Sequence, residues 1–250
     1  MGNYFTQGLI LRHSNFREAD RMVSIYTQDR GLVNVIAKGS RKINSKLAGN
    51  LEPFTLAEFM IVNGKRYDTV ASSEVIDIFK NIKKDLVKIK LAFYFSNIFL
   101  NTVKELQKDN KIYEFILEIF KHIEHLDTKN KKNLNWLVWY YIWSYLKLSG
   151  YQPEVYKCLI CKKDIEPNKT FINYHKGGLV CDVCAQQHNE LNQVSVNFIK
   201  IIRNILNTDL VKLLNIKIDN ETAKEFAKHT KKYYSYVFAE DINVPFFKSV

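Results

Sequence analysis

The stretch "VIAKGSRKINSKLAGNLEPF", residues Val35 to Phe54, joins two strand-like segments near the start of the chain. Its apolar beginning ends at Ala37, and residues 38–53, which we call the basic connection, follow it. Four cations fall within nine residues, with no acidic residue among them: Lys38, Arg41, Lys42 and Lys46. Glycine, serine and asparagine residues interrupt the rest of the connection, so it is predicted to be a loop. The segments on either side decide which kind of sheet carries it.

Five short strand-like segments occupy the first eighty residues. They are Phe5–His13, Arg21–Gln28, Leu32–Lys38, Phe54–Val62 and Thr69–Ile76. Apolar and polar residues alternate within the third segment, which is typical of a strand with one buried face. Asp29-Arg30-Gly31 precedes that segment and Asn63-Gly64 follows the fourth, and both are turn signals. Five short strands in this length predict a small β-barrel.

Beyond residue 80 the apolar positions recur every three or four residues, which predicts helices. The predicted helices are Ile82–Lys108, Ile112–His125, Asn133–Ser149, Ser195–Asn207 and Asn220–Phe238. We therefore predict an α+β multidomain chain, with a barrel domain over residues 1–80 and an all-α domain over residues 81–250. A cysteine-bearing segment at about 151–190 interrupts the all-α domain as an insertion.

The chain of 250 residues is 46% apolar and carries a formal net charge of +11. A basic balance favours polyanionic partners, nucleic acid above all. The chain is also rich in lysine, asparagine and isoleucine, and such a bias spreads lysines without giving them a binding role. Net charge alone therefore does not show that the cations bind nucleic acid, and their positions along the chain have to be considered.

The sequence shows no hydrophobic signal region at its N-terminus, so we expect a cytoplasmic protein. Its most apolar stretch, Leu134–Leu148, spans 15 residues. A membrane-spanning helix needs about 20 predominantly apolar residues. We therefore predict a buried helix at this stretch and no membrane partner.

All four cysteines form two Cys-x-x-Cys pairs, Cys158–Cys161 and Cys181–Cys184, with nineteen residues between the pairs. Two thiolates in one tight turn reach a metal ion from the same side, and a second pair completes a tetrahedron. Four thiolates leave no position open for water, so we predict one structural Zn²⁺ per chain. Disulfides are rare in a reducing compartment. His175 and His188 lie nearby and are alternative ligands.

The cations suit an OB-type barrel, whose loops hold phosphates while bases stack on aromatic side chains. They lie on or beside the first two strands, in the basic connection and after the fourth strand. The candidate DNA-binding residues are Arg12, Arg21, Lys38, Arg41, Lys42, Lys46 and Arg66. Tyr26 and Tyr67 are candidate stacking residues, although an aromatic residue of a small barrel is often a core residue. The alternative interpretation is a solvated loop whose lysines serve solubility.

Catalytic signatures are absent from the sequence. It contains no P-loop, no dinucleotide-binding glycine pattern, no zinc-protease motif and no nucleophile elbow. A nucleic-acid enzyme would need an acidic metal cluster, for which the candidates are Glu18, Asp20, Glu52 and Glu58. These acids sit beside cations, where ion pairs are the simpler explanation. We therefore predict no catalytic residue and no enzymatic activity.

Two separate regions of the sequence resemble the RecO family of bacterial recombination mediators. "LILRHSNFREADRMVSIYTQDRGLVNVIAKGSRKINSKLAGNLEPFTLAEF", from Leu9 to Phe59, is similar to the N-terminal domain of that family. "LKLSGYQPEVYKCLIC" resembles its Gly-Tyr-x-Pro turn with the first cysteine pair, and "FINYHKGGLVCDVC" resembles its second pair. The regions occur in the family's order, which makes the resemblance specific.

The resemblance implies an OB-fold followed by a helical domain with a zinc-binding insertion. It implies a non-enzymatic mediator that binds single- and double-stranded DNA, anneals complementary strands and associates with the nucleoid during repair. With RecR, such a protein helps to load RecA onto strands coated by single-stranded DNA-binding protein. The basic positions that match the family are Arg12, Arg21, Lys38, Arg41, Lys42 and Lys46. No motif locates the partner-protein contacts on the helical domain.

A different class of function is a protein–protein adaptor. In that alternative the helical domain binds partners, and DNA contact by the barrel is incidental. Salt-dependent DNA binding that relies on the basic connection would separate the two hypotheses.

Overall fold

A computed structural model of the chain describes residues 2–45, 47–166, 168–188, 190–245 and 247. The chain forms two compact units, Met1–Leu126 and Asp127–Val250. The change from strands to helices falls between residues 77 and 80, inside the first unit. The predicted boundary at residue 80 coincides with that change, and as a division between domains it stays a prediction.

Five strands of the first unit close into a barrel. They are β1 (Asn3–Phe16), β2 (Asp20–Thr27), β3 (Gly31–Ala37), β4 (Leu56–Val62) and β5 (Asp68–Asp77). The order around the barrel is β1-β2-β3-β5-β4, and β4 pairs back onto β1. All pairs are antiparallel except β3 with β5. Apolar residues from the strands fill the interior, among them Val23, Val35 and Phe59. The predicted five-stranded OB-type barrel is confirmed.

The first strand is longer than predicted because both of its edges are paired. Its first half pairs with β4 and its second half with β2, and a bulge between Ile10 and Arg12 lies where the pairing changes. The fourth strand begins at Leu56, two residues later than predicted. Phe54 has a left-handed backbone, with φ of 64°, which an extended strand does not accommodate.

The described part of the first unit also contains three helices: α1 (Lys80–Lys84), α2 (Leu86–Thr102) and α3 (Asn110–His125). The prediction of one helix over Ile82–Lys108 was wrong because Asp85 interrupts it. Asp85 has an extended backbone, and its carboxylate accepts hydrogen bonds from the N–H groups of Val87 and Lys88. An aspartate in this position caps the start of a helix, so α2 begins there.

The connection between α2 and α3 covers part of the β3 edge. Leu32 forms an isolated parallel bridge with Glu105, and the N–H of Leu106 donates to the backbone oxygen of Leu32 at 2.9 Å. Gly31, with φ of 69°, lies so close to this connection that a Cβ would sit 2.1 Å from the backbone oxygen of Gln107. Both the backbone angle and the close approach require glycine.

The second unit contains five helices and three short strands in its described part. The helices are α4 (Lys131–Leu148), α5 (Asp182–Ala185), α6 (Val196–Asn207), α7 (Leu210–Leu213) and α8 (Asn220–Phe238). Three buried tryptophans of α4 form its centre, and Trp143 donates from Nε1 to the hydroxyl of Thr230 at 3.0 Å. The predicted buried helix over Leu134–Leu148 is confirmed. Among the described residues, no helix is both long enough and apolar enough to span a membrane.

The three strands belong to the cysteine-bearing insertion and form an antiparallel sheet. They are β6 (Thr170–Asn173), β7 (Gly178–Cys181) and β8 (Asn192–Val194), in the order β7-β6-β8. Arg203 of α6 anchors the insertion, because its guanidinium donates to the backbone oxygens of Val155, at 2.9 Å, and Ile165, at 3.0 Å. The sequence analysis did not predict these strands, which have only three or four residues each.

Candidate nucleic-acid interface and metal centre

The basic connection is held against the turn between β1 and β2. The guanidinium of Arg41 donates hydrogen bonds to the backbone oxygens of Arg17, at 3.3 Å, and Glu18, at 2.9 Å. The carboxylate of Asp20 accepts a hydrogen bond from the N–H of Gly39 at 2.8 Å. The two segments therefore lie side by side, and the cations of the connection are brought next to Arg17 of the turn.

Three predicted DNA-binding cations point into solvent. The side chains of Arg12, Lys38 and Lys42 are exposed, and none of them is in a salt bridge with another described residue. Arg41 is exposed as well, although its guanidinium also holds the turn. Lys46, the remaining predicted cation of the connection, lies outside the described residues.

Arg21 has a different environment from the other predicted cations. It forms an ion pair with Glu52 at 3.0 Å, and its side chain is 20% exposed. Glu52 therefore neutralises part of the positive charge that Arg21 would offer to a phosphate. Arg66 is exposed and lies over the ring of Tyr67, with 5.5 Å between its guanidinium carbon and the ring centre.

The turn between β4 and β5 meets the end of β1 through two aromatic rings. Phe16 and Tyr67 are 5.8 Å apart between ring centres and are arranged edge to face at 72°. The guanidinium carbon of Arg17 lies 5.2 Å from the centre of the Phe16 ring. Three connections thus meet here, and they place exposed arginines beside half-buried aromatic rings.

Sequence reasoning missed Phe16 and Arg17, two of the residues that lie where these connections meet. The contact between Phe16 and Tyr67 joins residues far apart in the sequence, so a local pattern does not predict it. The one local indication is that an aromatic and a basic residue stand next to each other at the end of β1. Of the two candidate stacking residues, Tyr67 lies where the connections meet. Tyr26 is a core residue with 1% exposure, so it offers no face for a base.

The four cysteines meet in the insertion. The Sγ atoms of Cys158, Cys161, Cys181 and Cys184 all lie within 4.8 Å of one another, and those of Cys161 and Cys181 are 3.9 Å apart. In a tetrahedral zinc site with Zn–S bonds of about 2.3 Å, the sulfurs are about 3.8 Å apart. A disulfide would need about 2.05 Å. The spacing therefore fits four thiolates around one ion.

The protonation of the thiols is consistent with a metal site. Burial opposes the ionisation of Cys158, but N–H groups of Cys181, Cys161 and Ile160 outweigh it and lower the thiol pKa to about 6. Burial and the neighbouring thiols raise the pKa of Cys184 to about 12. Four thiolates this close repel one another, and a bound divalent cation offsets that repulsion.

Other ligand sets are not assembled in the described part of the chain. There, the four cysteines are the one group of three or more His, Cys, Asp or Glu side chains close enough to share an ion. The Nδ1 atom of His175 instead lies 2.5 Å from the hydroxyl of Tyr236. Among the acids, Asp20 accepts from the N–H of Gly39 and Glu52 pairs with Arg21.

Comparison with known proteins covers both halves of the chain. Residues 1–79 match the family model described as Recombination protein O N terminal, and residues 83–243 match Recombination protein O C terminal. The DNA repair protein RecO of Dehalococcoides mccartyi is 31% identical over 223 residues, which are 89% of this chain and 86% of that protein.

A second relative has similar coverage. The DNA repair protein RecO of Caldanaerobacter subterraneus subsp. tengcongensis is 27% identical over 228 residues, 91% of this chain and 90% of that protein. Two family models match in order, and the matched relatives extend over most of the chain. The chain belongs to the RecO family of DNA repair proteins.

Proposed function

We propose that this RecO-family protein is a recombination mediator that binds single- and double-stranded DNA and anneals complementary strands. The observation that carries the proposal is the meeting of the basic connection with the β1–β2 turn, where exposed cations surround the Arg41 hydrogen bonds. In this proposal residues 1–80 form the DNA-binding domain. The phosphate contacts are Arg12, Arg21, Lys38, Arg41, Lys42, Lys46 and Arg66.

Annealing requires no chemical catalysis by the protein. Two DNA strands repel each other through their phosphates, and a cationic surface that neutralises phosphates on both strands lowers this barrier. Base pairing supplies the sequence selection, so the protein has no need to read base edges. Exposed Lys38 and Lys42 suit this role because a loop cation adapts to the backbone of either strand. The proposal therefore includes no enzymatic activity.

The four cysteines would hold one Zn²⁺, whose contribution is to bind the two halves of the insertion together. Cys158 and Cys161 precede the small sheet, Cys181 is the last residue of β7, and Cys184 lies in α5. Four protein ligands close the coordination sphere, so the ion serves the fold.

The proposed partners besides DNA are RecR and single-stranded DNA-binding protein, and RecA is a proposed indirect partner. The protein would help to load RecA onto strands that single-stranded DNA-binding protein coats. The helical part of the chain is the proposed place for the protein contacts. The alternative is an adaptor whose barrel meets DNA only incidentally.

DNA binding measured at several salt concentrations tests the proposal. A labelled single strand would be titrated by fluorescence anisotropy with the wild type and with Lys38→Ala/Lys42→Ala. We expect a steep salt dependence for the wild type, and each lost phosphate contact should reduce the log–log slope by about 0.7. The side chains of these lysines are exposed and form no salt bridge with another described residue.

The matched control is Lys84→Ala/Lys90→Ala, which removes two exposed lysines from α1 and α2 of the same unit. An equal loss of slope in both double variants would mean that general charge, and no local site, drives binding. A wild type that fails to bind DNA at moderate salt would favour the adaptor.

A further inference from the structure

We propose that the rings of Phe16 and Tyr67 form a stacking site for an unpaired nucleobase, with Arg17 and Arg66 on either side. The four residues, which we call the aromatic cluster, lie where the β1–β2 and β4–β5 turns meet. The inference rests on the proposed function, because it names the form of DNA that the same end of the barrel would prefer.

The ring geometry leaves stacking surface available. In an edge-to-face pair, one ring uses a face and the other uses only its edge. Phe16 and Tyr67 are arranged in this way, so at least one of them keeps its faces clear of the other ring. An exposed guanidinium group lies beside each ring, and an exposed arginine can move aside to bind a phosphate.

The surroundings of the cluster distinguish it from ordinary core packing. Phe16 and Tyr67 are outside the buried set that fills the barrel, and both are half-buried. Neither Arg17 nor Arg66 is in a salt bridge with any described residue. Two uncompensated cations beside two accessible rings match the requirements of a nucleotide, which has an anionic phosphate and a flat base.

The backbone conformation of Arg17 also supports the proposed stacking site. Arg17 has φ of 55°, a left-handed conformation that glycine adopts far more readily than arginine. The hydrogen bond from Arg41 to the backbone oxygen of Arg17 helps to hold that conformation. In this turn the Arg17 side chain stays exposed, with its guanidinium carbon 5.2 Å from the centre of the Phe16 ring.

A stacking site of this kind prefers single strands. The bases of a duplex are stacked on each other and paired, so their faces cannot reach a protein ring without unstacking. Bases of an unpaired strand are free to stack, and the contact tolerates any sequence because every base has a flat face. The cluster would thus favour unpaired DNA, while the basic connection holds phosphates of either form.

The test compares the wild type with Phe16→Leu and Tyr67→Leu on three labelled probes: a single strand, the same strand with central abasic sites, and a duplex. Removing one stacked base costs roughly five- to a hundredfold in affinity. We expect each variant to lose that factor on the intact single strand. Duplex affinity and the salt slope should stay unchanged, because the cations remain.

The abasic strand provides a further check. The wild type should bind the abasic strand with lower affinity than the intact strand. Each variant should bind the two strands with equal affinity. Phe5→Leu is the matched control, since Phe5 is a 72% exposed aromatic residue near the opposite end of β1 from Phe16. Melting curves verify that all variants are folded.

Three results would overturn the inference. Variants that bind the single strand like the wild type would overturn stacking and leave the proposed DNA function intact. Equal losses on single strand and duplex would assign the rings to shaping the turns. A wild type that binds none of the probes would overturn the proposed function itself.

Discussion

The guanidinium of Arg41 lies 2.9 Å from the backbone oxygen of Glu18 and so joins the basic connection to the β1–β2 turn. An exposed cation of a loop therefore has two roles that a substitution can separate. One role is that of its charge, which we propose to attract phosphate, and the other is that of its planar group of donors, which fixes a turn.

Arg41→Lys keeps the charge but cannot donate to two backbone oxygens in the same geometry. We expect the salt slope of single-strand binding to stay constant while the affinity falls about fivefold, equivalent to about 1 kcal/mol. Anisotropy titrations would measure both quantities. Lys42→Arg is the control, because it also preserves charge but alters no described hydrogen bond of that side chain. An Arg41→Lys protein with wild-type affinity would contradict the role assigned to the turn.

Removal of the proposed Zn²⁺ should destabilise the second unit without changing the proposed phosphate contacts of the barrel. We expect freshly purified protein to contain about one zinc per chain, as a closed four-thiolate site requires. A chelator, or Cys181→Ser, should lower the melting temperature, and readdition of zinc should restore it only for the wild type. Metal analysis with calorimetry would measure both effects. A zinc content well below one per chain would refute the assignment.

The buried His229 predicts an acid-sensitive step in stability. The pKa of His229 is lowered to about 4, chiefly by burial. Glu225 raises this pKa, whereas Lys228 and Lys232 contribute to lowering it. The Nδ1 atom of His229 lies 2.5 Å from the hydroxyl of Tyr174. Because the unfolded histidine has a pKa near 6.5, the unfolded state binds more protons between pH 6.5 and 4. Stability is therefore full above pH 6.5 and is lost as the pH falls toward 4.

From pH 7 to pH 5 this residue alone should reduce the free energy of unfolding by about 2 kcal/mol. Urea unfolding of the wild type and of His229→Gln at each pH would measure the difference, since glutamine does not titrate. The variant should show a flatter dependence over this range. Parallel curves for the two proteins would show that His229 is not the cause.

Gly31→Ala tests the contact between the β2–β3 turn and the α2–α3 connection. A Cβ at this position would sit 2.1 Å from the backbone oxygen of Gln107, and φ is 69°. The backbone strain alone costs about 1 kcal/mol, and the clash adds to it. Gly49→Ala is the control, because a Cβ there meets nothing within 4 Å. Denaturant unfolding should show a loss above about 2 kcal/mol for Gly31→Ala alone; equal stability of both variants would contradict the contact.

The features that were predicted correctly depend on local sequence patterns. Alternation around Val33 and Val35 identifies β3, and the spacing of the two Cys-x-x-Cys pairs alone predicts that the four cysteines meet. The features that were missed depend on tertiary contacts. Asp85 ends one predicted helix because its side chain caps the next one, and a helical period does not reveal that choice. The aromatic cluster arises only when the β4–β5 turn returns to the end of β1, and no local pattern specifies which residues then meet.

The pairing of β1 with β4 also has a consequence for synthesis of the chain. Asn3 pairs with Val62, and Phe16 contacts Tyr67. The first half of β1 therefore stays unpaired until β4 and the turn after it have left the ribosome, because this seam of the sheet joins early residues to late ones. A nascent chain carries its positive charges from the start, but it acquires an ordered surface for DNA only when that seam closes.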